Sequence, residues 1–260
     1  MVTPRIRVLA FGGLGNRQSY FEPLVLACAN DMEFNAVDIH DLTPACINAR
    51  VAEFFSLESR ASVVVLGFSS SCYATAKAFD THKTPGSRLL LIDPPYILGP
   101  GELPDLKGLH PYYRDPTKRA ETLSETRTHV RCVLSPSLVH RMFFRLLNVC
   151  PPLQWCLRLF GSRTPWEVDR VIFSMPIRDL QDFLGRFILA YDPVQTVESL
   201  DPRRTCVMST MYSLSRKFME ARKGPVSQCV CYTDTGHHVI QTHPELVRST
   251  LIALCATSTP

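Results

Sequence analysis

The stretch VVVLGFSSS, Val63–Ser71, decides the fold because it leads from a buried strand into a turn and a helix. Its uniformly apolar, β-branched start predicts a strand buried on both faces, and the helical pattern Ser70–Phe79 follows without a linker. From Gly67 onward, G-x-S-x-S is nearly the G-x-S-x-G nucleophile elbow, whose strained turn needs small neighbours and lifts the serine above the sheet edge. This predicts Ser69 as a nucleophile, with Ser71 in place of the usual glycine. A plain strand–turn–helix with polar caps is the alternative.

Strand and helix patterns alternate on both sides of this stretch. Apolar strands separated by amphipathic helices indicate a parallel sheet covered on both faces, which is an α/β fold. We expect a mostly parallel sheet of about six strands. The predicted strands are Ile6–Phe11, Asn35–Ile39, Ser62–Gly67, Arg88–Asp93, Thr205–Thr210 and Gln228–Tyr232, and the predicted helices include Ala45–Leu57, Ile177–Tyr191 and Pro244–Cys255.

Residues from about 97 to 175 contain no strand-like run and are rich in helical patterns. The segment is too long for a loop, so we expect one domain over residues 1–260 with a helical lid inserted at about 97–175. Between Tyr112 and Arg178, eleven Lys and Arg residues outnumber five acidic residues, which gives a net charge of +6. A solvated charged face would explain this excess, and so would a docking face for an acidic carrier protein or its phosphopantetheine arm.

Composition excludes several classes of protein. The chain has 260 residues, 45% of them hydrophobic, and a net charge of +4, which is ordinary for a globular protein and too weak to argue for nucleic acid. No apolar run approaches the ~20 residues that a membrane span needs. Its ten cysteines follow neither a disulfide framework nor zinc-ligand spacing. We interpret them as buried thiols of a cytoplasmic protein, with no metal or organic cofactor.

A glycine-rich turn follows the first predicted strand. Gly12 and Gly13 end that strand, and in a parallel sheet their turn lies at the same edge as the nucleophile. We therefore expect the backbone N–H of Ser70 and one N–H from the Gly12–Gly13 turn to form an oxyanion hole. A phosphate-binding loop is disfavoured, because no Lys-Ser/Thr pair follows the glycines.

The predicted general base lies on the loop after the last strand, where Gly236 precedes His237 and His238. The residues alone leave the choice between the two histidines open. The predicted acid is Asp93, because it ends the strand beside the nucleophile strand and no carboxylate directly follows Thr205–Thr210. Asp234 is a rival, although it is close in sequence to the histidines.

These motifs, in this order, resemble the thioesterase domains that end polyketide and non-ribosomal peptide synthases. The resemblance rests on Gly-Gly at 12–13 followed by Tyr-Phe-Glu-Pro-Leu at 20–24, Gly-Phe-Ser at 67–69, Leu-Ile-Asp at 91–93 and Gly-His-His at 236–238. It implies an α/β-hydrolase fold with the acid at Asp93, and its G-x-H turn implies His238 as the base. Since Met1 opens the chain with no carrier domain before it, we expect a free-standing enzyme that acts in trans.

The resemblance implies a serine hydrolase acting on acyl thioesters in secondary-metabolite biosynthesis. Ser69 would attack the acyl carbonyl, His238 would take its proton, and Asp93 would orient His238. The acyl chain could arrive on the phosphopantetheine arm of an acyl carrier protein. Two alternatives remain: a carboxylesterase that uses the same triad, and a non-catalytic hydrolase scaffold, which the imperfect elbow would suit.

Overall fold

The computed structural model describes residues 6–14, 16–39, 42–57, 62–95, 199–210 and 229–256, and within 179–196 only 179, 182–183, 185–191 and 195–196. Six strands form one sheet in the order β2-β1-β3-β4-β5-β6, and every neighbouring pair is parallel. This confirms the predicted α/β architecture. The strands are β1 (Ile6–Phe11), β2 (Met32–Val37), β3 (Val63–Phe68), β4 (Ser87–Ile92), β5 (Thr205–Ser209) and β6 (Val230–Tyr232).

Helices connect the strands and begin where the sequence provides start signals. Thr43 caps the second helix by accepting a hydrogen bond from the Cys46 N–H at 3.2 Å, and Pro44 occupies its first turn. A 3₁₀ turn over Gln18–Phe21 leads into the first helix, and another over Ser69–Ser71 leads into the third. The helices are α1 (Glu22–Cys28), α2 (Pro44–Ser56), α3 (Cys72–His82), α4 (Val239–Thr242) and α5 (Pro244–Ala256), and Gly185–Leu189 forms a π-helical turn.

The four central strands of the sheet are largely buried on both faces, as their apolar sequences predict, whereas the edge strands β2 and β6 are partly exposed. Alternate residues of one strand enter different cores: Leu89 and Leu91 of β4 pack in one, Leu90 and Ile92 in the other. Residues of α2 and α3 belong to the first core, and residues of α1 and α5 belong to the second. Burial of this apolar surface, at about 25 cal/mol per Å², drives the assembly.

The register brings the ends of the strands together at one edge. Phe11 lies opposite Gly67, Phe68 opposite Ile92, and Ile92 opposite Met208. Because all six strands run the same way, the loops that follow β1, β3, β4, β5 and β6 meet at the carboxyl edge. Every predicted site residue lies on one of these loops.

The seven described cysteines are free thiols, of which three are buried, as predicted, and four are partly exposed: Cys28, Cys72 and Cys229 are buried, and Cys46, Cys206, Cys231 and Cys255 are not fully so. Burial raises the pKa of the Cys28 thiol to about 11 and that of Cys206 to about 12. Such thiols behave as small apolar side chains. Cys132, Cys150, Cys156 and the predicted lid at about 97–175 lie outside the described residues.

Within the described ranges, no helix is long and apolar enough to cross a membrane. The same ranges contain no group of His, Cys, Asp and Glu side chains that could hold a metal ion.

Candidate active site

Ser69 occupies a strained turn between β3 and the following helix. Its φ is 53°, in the left-handed region that costs a residue with a Cβ about 1–2 kcal/mol. The neighbouring Gly67 allows α3 to approach the strand, since a Cβ at that position would lie 3.1 Å from the Cα of Cys72. A strained serine between a buried strand and a helix N-terminus has the geometry of a nucleophile elbow.

Ser71, the departure from the usual glycine, is accommodated by hydrogen bonds. Its buried hydroxyl accepts from the Phe68 N–H at 3.1 Å and lies 3.0 Å from the carbonyl oxygens of both Phe11 and Phe68. One of these carbonyls receives its proton. The side chain therefore ties the end of β1 to the elbow, and the substitution preserves the turn.

The glycine turn after β1 packs directly against the elbow. A Cβ on Gly13 would lie 2.7 Å from the Cβ of Ser69, so only glycine fits there. The Gly13 N–H, however, donates to the Oδ1 of buried Asn16 at 2.7 Å, and the Leu14 N–H donates to the Ser70 Oγ at the same distance. Gly12 and Gly13 are the predicted oxyanion donors in this turn. The N–H of Gly13 is already bonded to Asn16.

Asn16 and Leu14 are residues that the sequence pattern does not single out as part of a site. Asn16 is 2% exposed, and its side chain closes the turn onto Gly13. Asparagine is common in turns because its side chain bonds nearby backbone groups, and this general preference is the signal that the sequence offers. No comparable signal marks Leu14, because its role depends on the contact with Ser70 across the sheet edge.

Asp93 lies at the carboxyl end of β4, as predicted, and is almost fully buried at 1% exposure. Its backbone is also left-handed, with a φ of 49°, and its N–H donates to the carbonyl of Met208 at 2.9 Å. Thr210, directly after β5, donates twice to the carboxylate: its N–H reaches Oδ1 at 2.8 Å and its hydroxyl reaches Oδ2 at 2.7 Å. A buried carboxylate is thereby held in place by two donors of one residue.

The two adjacent histidines have different partners. The Nδ1 of His237 lies 2.9 Å from the Oδ2 of Asp93, and the His237 ring packs at 5.0 Å from that of Phe68. The Nδ1 of His238 instead lies 2.8 Å from the hydroxyl of Tyr20. The expected pairing of Asp93 with His238 is therefore wrong in this structure, and Asp93 pairs with His237.

The reason is the local turn. Residues 237 and 238 form a turn just before α4, and consecutive side chains of such a turn point in different directions. The G-x-H spacing counts residues after the glycine, but it carries no information on which side chain faces the sheet edge. Asp234, the rival acid, is exposed to solvent.

Burial sets the protonation of the second pair, which consists of His238 and Tyr20. Burial, with a smaller contribution from the neighbouring His237 that outweighs the opposing charge of Asp93, lowers the pKa of His238 to about 4. Burial also raises the pKa of Tyr20 far above its ordinary value, with a smaller contribution from the charge of Asp93. Both groups are therefore neutral at pH 7. The Tyr20 hydroxyl and the Nδ1 of His238 share a hydrogen bond, and the tautomer of the imidazole decides which of them donates.

The carboxyl edge thus combines a strained serine, a buried carboxylate and an imidazole bonded to that carboxylate. The Ser69 hydroxyl makes no side-chain hydrogen bond to His237 or to any other described residue. Such bonds are often long in the free enzyme and shorten when substrate binds. Chemically, this arrangement can activate a hydroxyl and hold a developing oxyanion near a helix N-terminus.

No protein-family model matches the chain, and no curated protein matches it. Solved structures do share its fold. A thioesterase domain from the curacin biosynthetic pathway is 11% identical, covers 95% of this chain and 91% of its own, and has a TM-score of 0.51. MenH from S. aureus is 13% identical, with coverages of 99% and 96% and a TM-score of 0.56.

A loop variant of the haloalkane dehalogenase DbeA from Bradyrhizobium elkanii is 12% identical, with coverages of 97% and 90% and a TM-score of 0.52. Together with the all-parallel six-stranded sheet, these similarities identify the α/β-hydrolase fold. The fold hosts many chemistries, so function must be argued from the site.

Proposed function

We propose that the protein is a serine hydrolase with Ser69 as nucleophile, His237 as general base and Asp93 as the carboxylate that orients His237. The observation that carries the proposal is the 2.9 Å contact between Asp93 and His237 at the edge where Ser69 has a φ of 53°. A plain strand–turn–helix needs neither the strained serine nor a buried carboxylate bonded to an imidazole. Their coincidence at one edge favours catalysis over the structural alternative.

The reaction would proceed through an acyl-enzyme. The Ser69 oxygen attacks the acyl carbonyl while Nε2 of His237 takes the hydroxyl proton, and the Nδ1–H of His237 stays bonded to Asp93. The tetrahedral intermediate collapses, the thiol or alcohol leaves with the proton from His237, and the acyl group remains on Ser69. Water or another nucleophile, activated by His237, then releases the acyl group.

The oxyanion would be held by backbone donors. The N–H of Ser70 is the first, since it follows the nucleophile at the start of the helical segment. The second comes from the glycine turn. Because the Gly13 N–H is bonded to Asn16, the candidates are the Gly12 N–H and the Leu14 N–H, the second with the substrate oxygen replacing the Ser70 hydroxyl that the Leu14 N–H now contacts.

An acyl thioester is the proposed substrate class. It is supported by the motif resemblance to synthase-terminating thioesterases and by the shared fold of the curacin thioesterase domain. We propose further that the acyl chain is of polyketide or peptide type, that it arrives on an acyl carrier protein, and that the enzyme works in the cytoplasm. A carboxylesterase would use the same residues, so substrate preference must be measured.

Intact-mass analysis tests the proposal. Incubation with an acyl-pantetheine thioester should add one acyl mass to the wild-type protein and none to Ser69→Ala. Ser71→Gly is the matched control, because it alters the same turn and leaves the nucleophile, and it should still acylate. Labelling by a fluorophosphonate should follow the same pattern. If Ser69→Ala acylates as the wild type does, the serine mechanism is wrong.

The same acyl group offered as an oxygen ester separates the two substrate classes. A thioesterase should give a kcat/KM at least about tenfold higher on the thioester, a difference of about 1.4 kcal/mol in transition-state stabilisation. The opposite preference would identify the carboxylesterase. No adduct from either substrate and no fluorophosphonate label would favour the non-catalytic scaffold.

A further inference from the structure

Thr210 is the most directly bonded neighbour of the buried acid. It follows β5 immediately and is itself fully buried, at 0% exposure. Its N–H and its hydroxyl donate to different oxygens of Asp93, at 2.8 and 2.7 Å. Thr210 thus contacts both oxygens of the carboxylate from the end of the neighbouring strand.

The two donors fix the plane of the carboxylate. The terminal torsion of an aspartate is soft and roughly twofold, so an isolated carboxylate could turn away from a partner at little cost. With Oδ1 held by the backbone of Thr210, rotation about that torsion would break this bond. Oδ2 then accepts from the Thr210 hydroxyl and also contacts Nδ1 of His237 at 2.9 Å. The orientation of His237 therefore depends on Thr210.

We propose that Thr210 is a positioning residue that holds Asp93 in the orientation at which it bonds His237. This inference rests on the proposed triad of Ser69, His237 and Asp93. The sequence has no carboxylate directly after β5, and its pattern assigns the acid to β4. The structure shows that β5 supplies two hydrogen-bond donors at the same place, so both strands shape the acid site.

Two substitutions distinguish the effect of the Thr210 hydroxyl from an effect on folding. Thr210→Val keeps the size and the backbone donor but removes the hydroxyl, while Thr210→Ser keeps the hydroxyl. A hydrogen bond to a charged group is lost in the first variant, so kcat per active site, titrated by the acylation burst, should fall about 10- to 100-fold with little change in KM. Thr210→Ser should restore kcat to within about threefold of the wild type.

Thr205→Val is the matched control. Thr205 begins the strand that Thr210 follows and is 3% exposed, but its hydroxyl has no hydrogen-bond partner among the described residues, so its loss should leave kcat per titrated site unchanged. If Thr210→Val lowers activity only by lowering the folded fraction, its kcat per titrated site will match that of Thr205→Val. That result would overturn the inference.

A double-mutant cycle with Asp93 shows whether Thr210 acts through the acid. Asp93→Asn alone should lower kcat by about 10³–10⁴-fold. Adding Thr210→Val should then cost less than about threefold more, because the group it positions is already lost. Additive losses would contradict the inference while leaving the triad intact. A silent Asp93→Asn would instead contradict the proposed function.

Discussion

His237 and His238 are adjacent residues of the same type, with ring centroids 5.2 Å apart, yet they occupy opposite electrostatic environments. His237 contacts the buried carboxylate of Asp93, which stabilises an imidazolium when one forms. His238 contacts the neutral phenol of Tyr20, and burial lowers its pKa to about 4. One histidine is bonded to a carboxylate, whereas the other resists protonation.

The comparison shows that the partner of a histidine, more than its position in a motif, determines what it can do. Phe68 packs against both arrangements: its ring stacks on Tyr20 at 5.3 Å and lies 5.0 Å from His237. Phe68, the residue before Ser69, therefore contacts both pairs. Substitutions in each pair can test whether the two are as separate as their hydrogen bonds indicate.

The largest expected difference is between the two alanine variants. His237→Ala should lower kcat by at least about 10³-fold, because it removes the base bonded to Asp93. His238→Ala should keep at least about a tenth of the activity, and His238→Gln, which restores a hydrogen-bonding group for Tyr20, should keep more. The rates of acylation and deacylation with one thioester measure the activity of each variant.

Equal losses of kcat in the two alanine variants would contradict the separate roles of the two histidines. The reverse ranking would restore His238 as the base and would require the loop to rearrange when substrate binds. Circular dichroism and urea midpoints must show that both variants are folded, since His238 contacts buried Tyr20 and its truncation leaves that hydroxyl unpaired.

The sheet and the elbow could be predicted because their signals are local. A uniformly apolar strand such as Val63–Phe68 indicates burial on both faces, and the small residues around Ser69 indicate a tight turn. The position of Asp93 could be predicted too, because a residue that ends a strand beside the nucleophile strand must lie at the same edge.

The contacts at that edge could not be predicted in the same way. Whether His237 or His238 faces Asp93 depends on the backbone angles of a short turn, which the spacing after Gly236 does not encode. The engagement of the Gly13 N–H by Asn16 requires the turn to close on itself. These contacts follow from tertiary geometry, and a threonine after a strand, such as Thr210, is too common to identify an acid site from sequence alone.

A smaller effect is expected on stability below neutral pH. The pKa of His238 is about 4 in the folded protein against an ordinary value of 6.5, so between these values the unfolded chain binds a proton that the folded chain does not. Stability from this residue is complete above pH 6.5 and is lost as the pH falls toward 4. Allowing for partial solvent exposure, the loss should be about 1–2 kcal/mol.

Urea unfolding of the wild type and His238→Gln at about pH 7.5 and about pH 5, on either side of the ordinary histidine pKa, measures this contribution. The fall in unfolding free energy between the two pH values should be smaller in His238→Gln, because glutamine does not titrate. The paired His237→Gln variant controls for the loss of an imidazole from the same turn. An unchanged pH dependence in His238→Gln would show that His238 is not protected from protonation by the fold.

The smallest effect is expected from Tyr20→Phe. Phenylalanine keeps the ring that stacks on Phe68 but removes the hydroxyl that is hydrogen-bonded to His238, so stability should fall by about 1 kcal/mol. Activity should stay within about fivefold of the wild type, because the bond between His237 and Asp93 is untouched. Tyr73→Phe, which removes a buried hydroxyl that donates to Pro95, gives the cost of such a loss outside the histidine pair. If Tyr20→Phe alone slowed turnover by about two orders of magnitude or more, the Tyr20–His238 pair would belong to the chemistry, and the two histidines would then have to be treated as one proton-transfer unit.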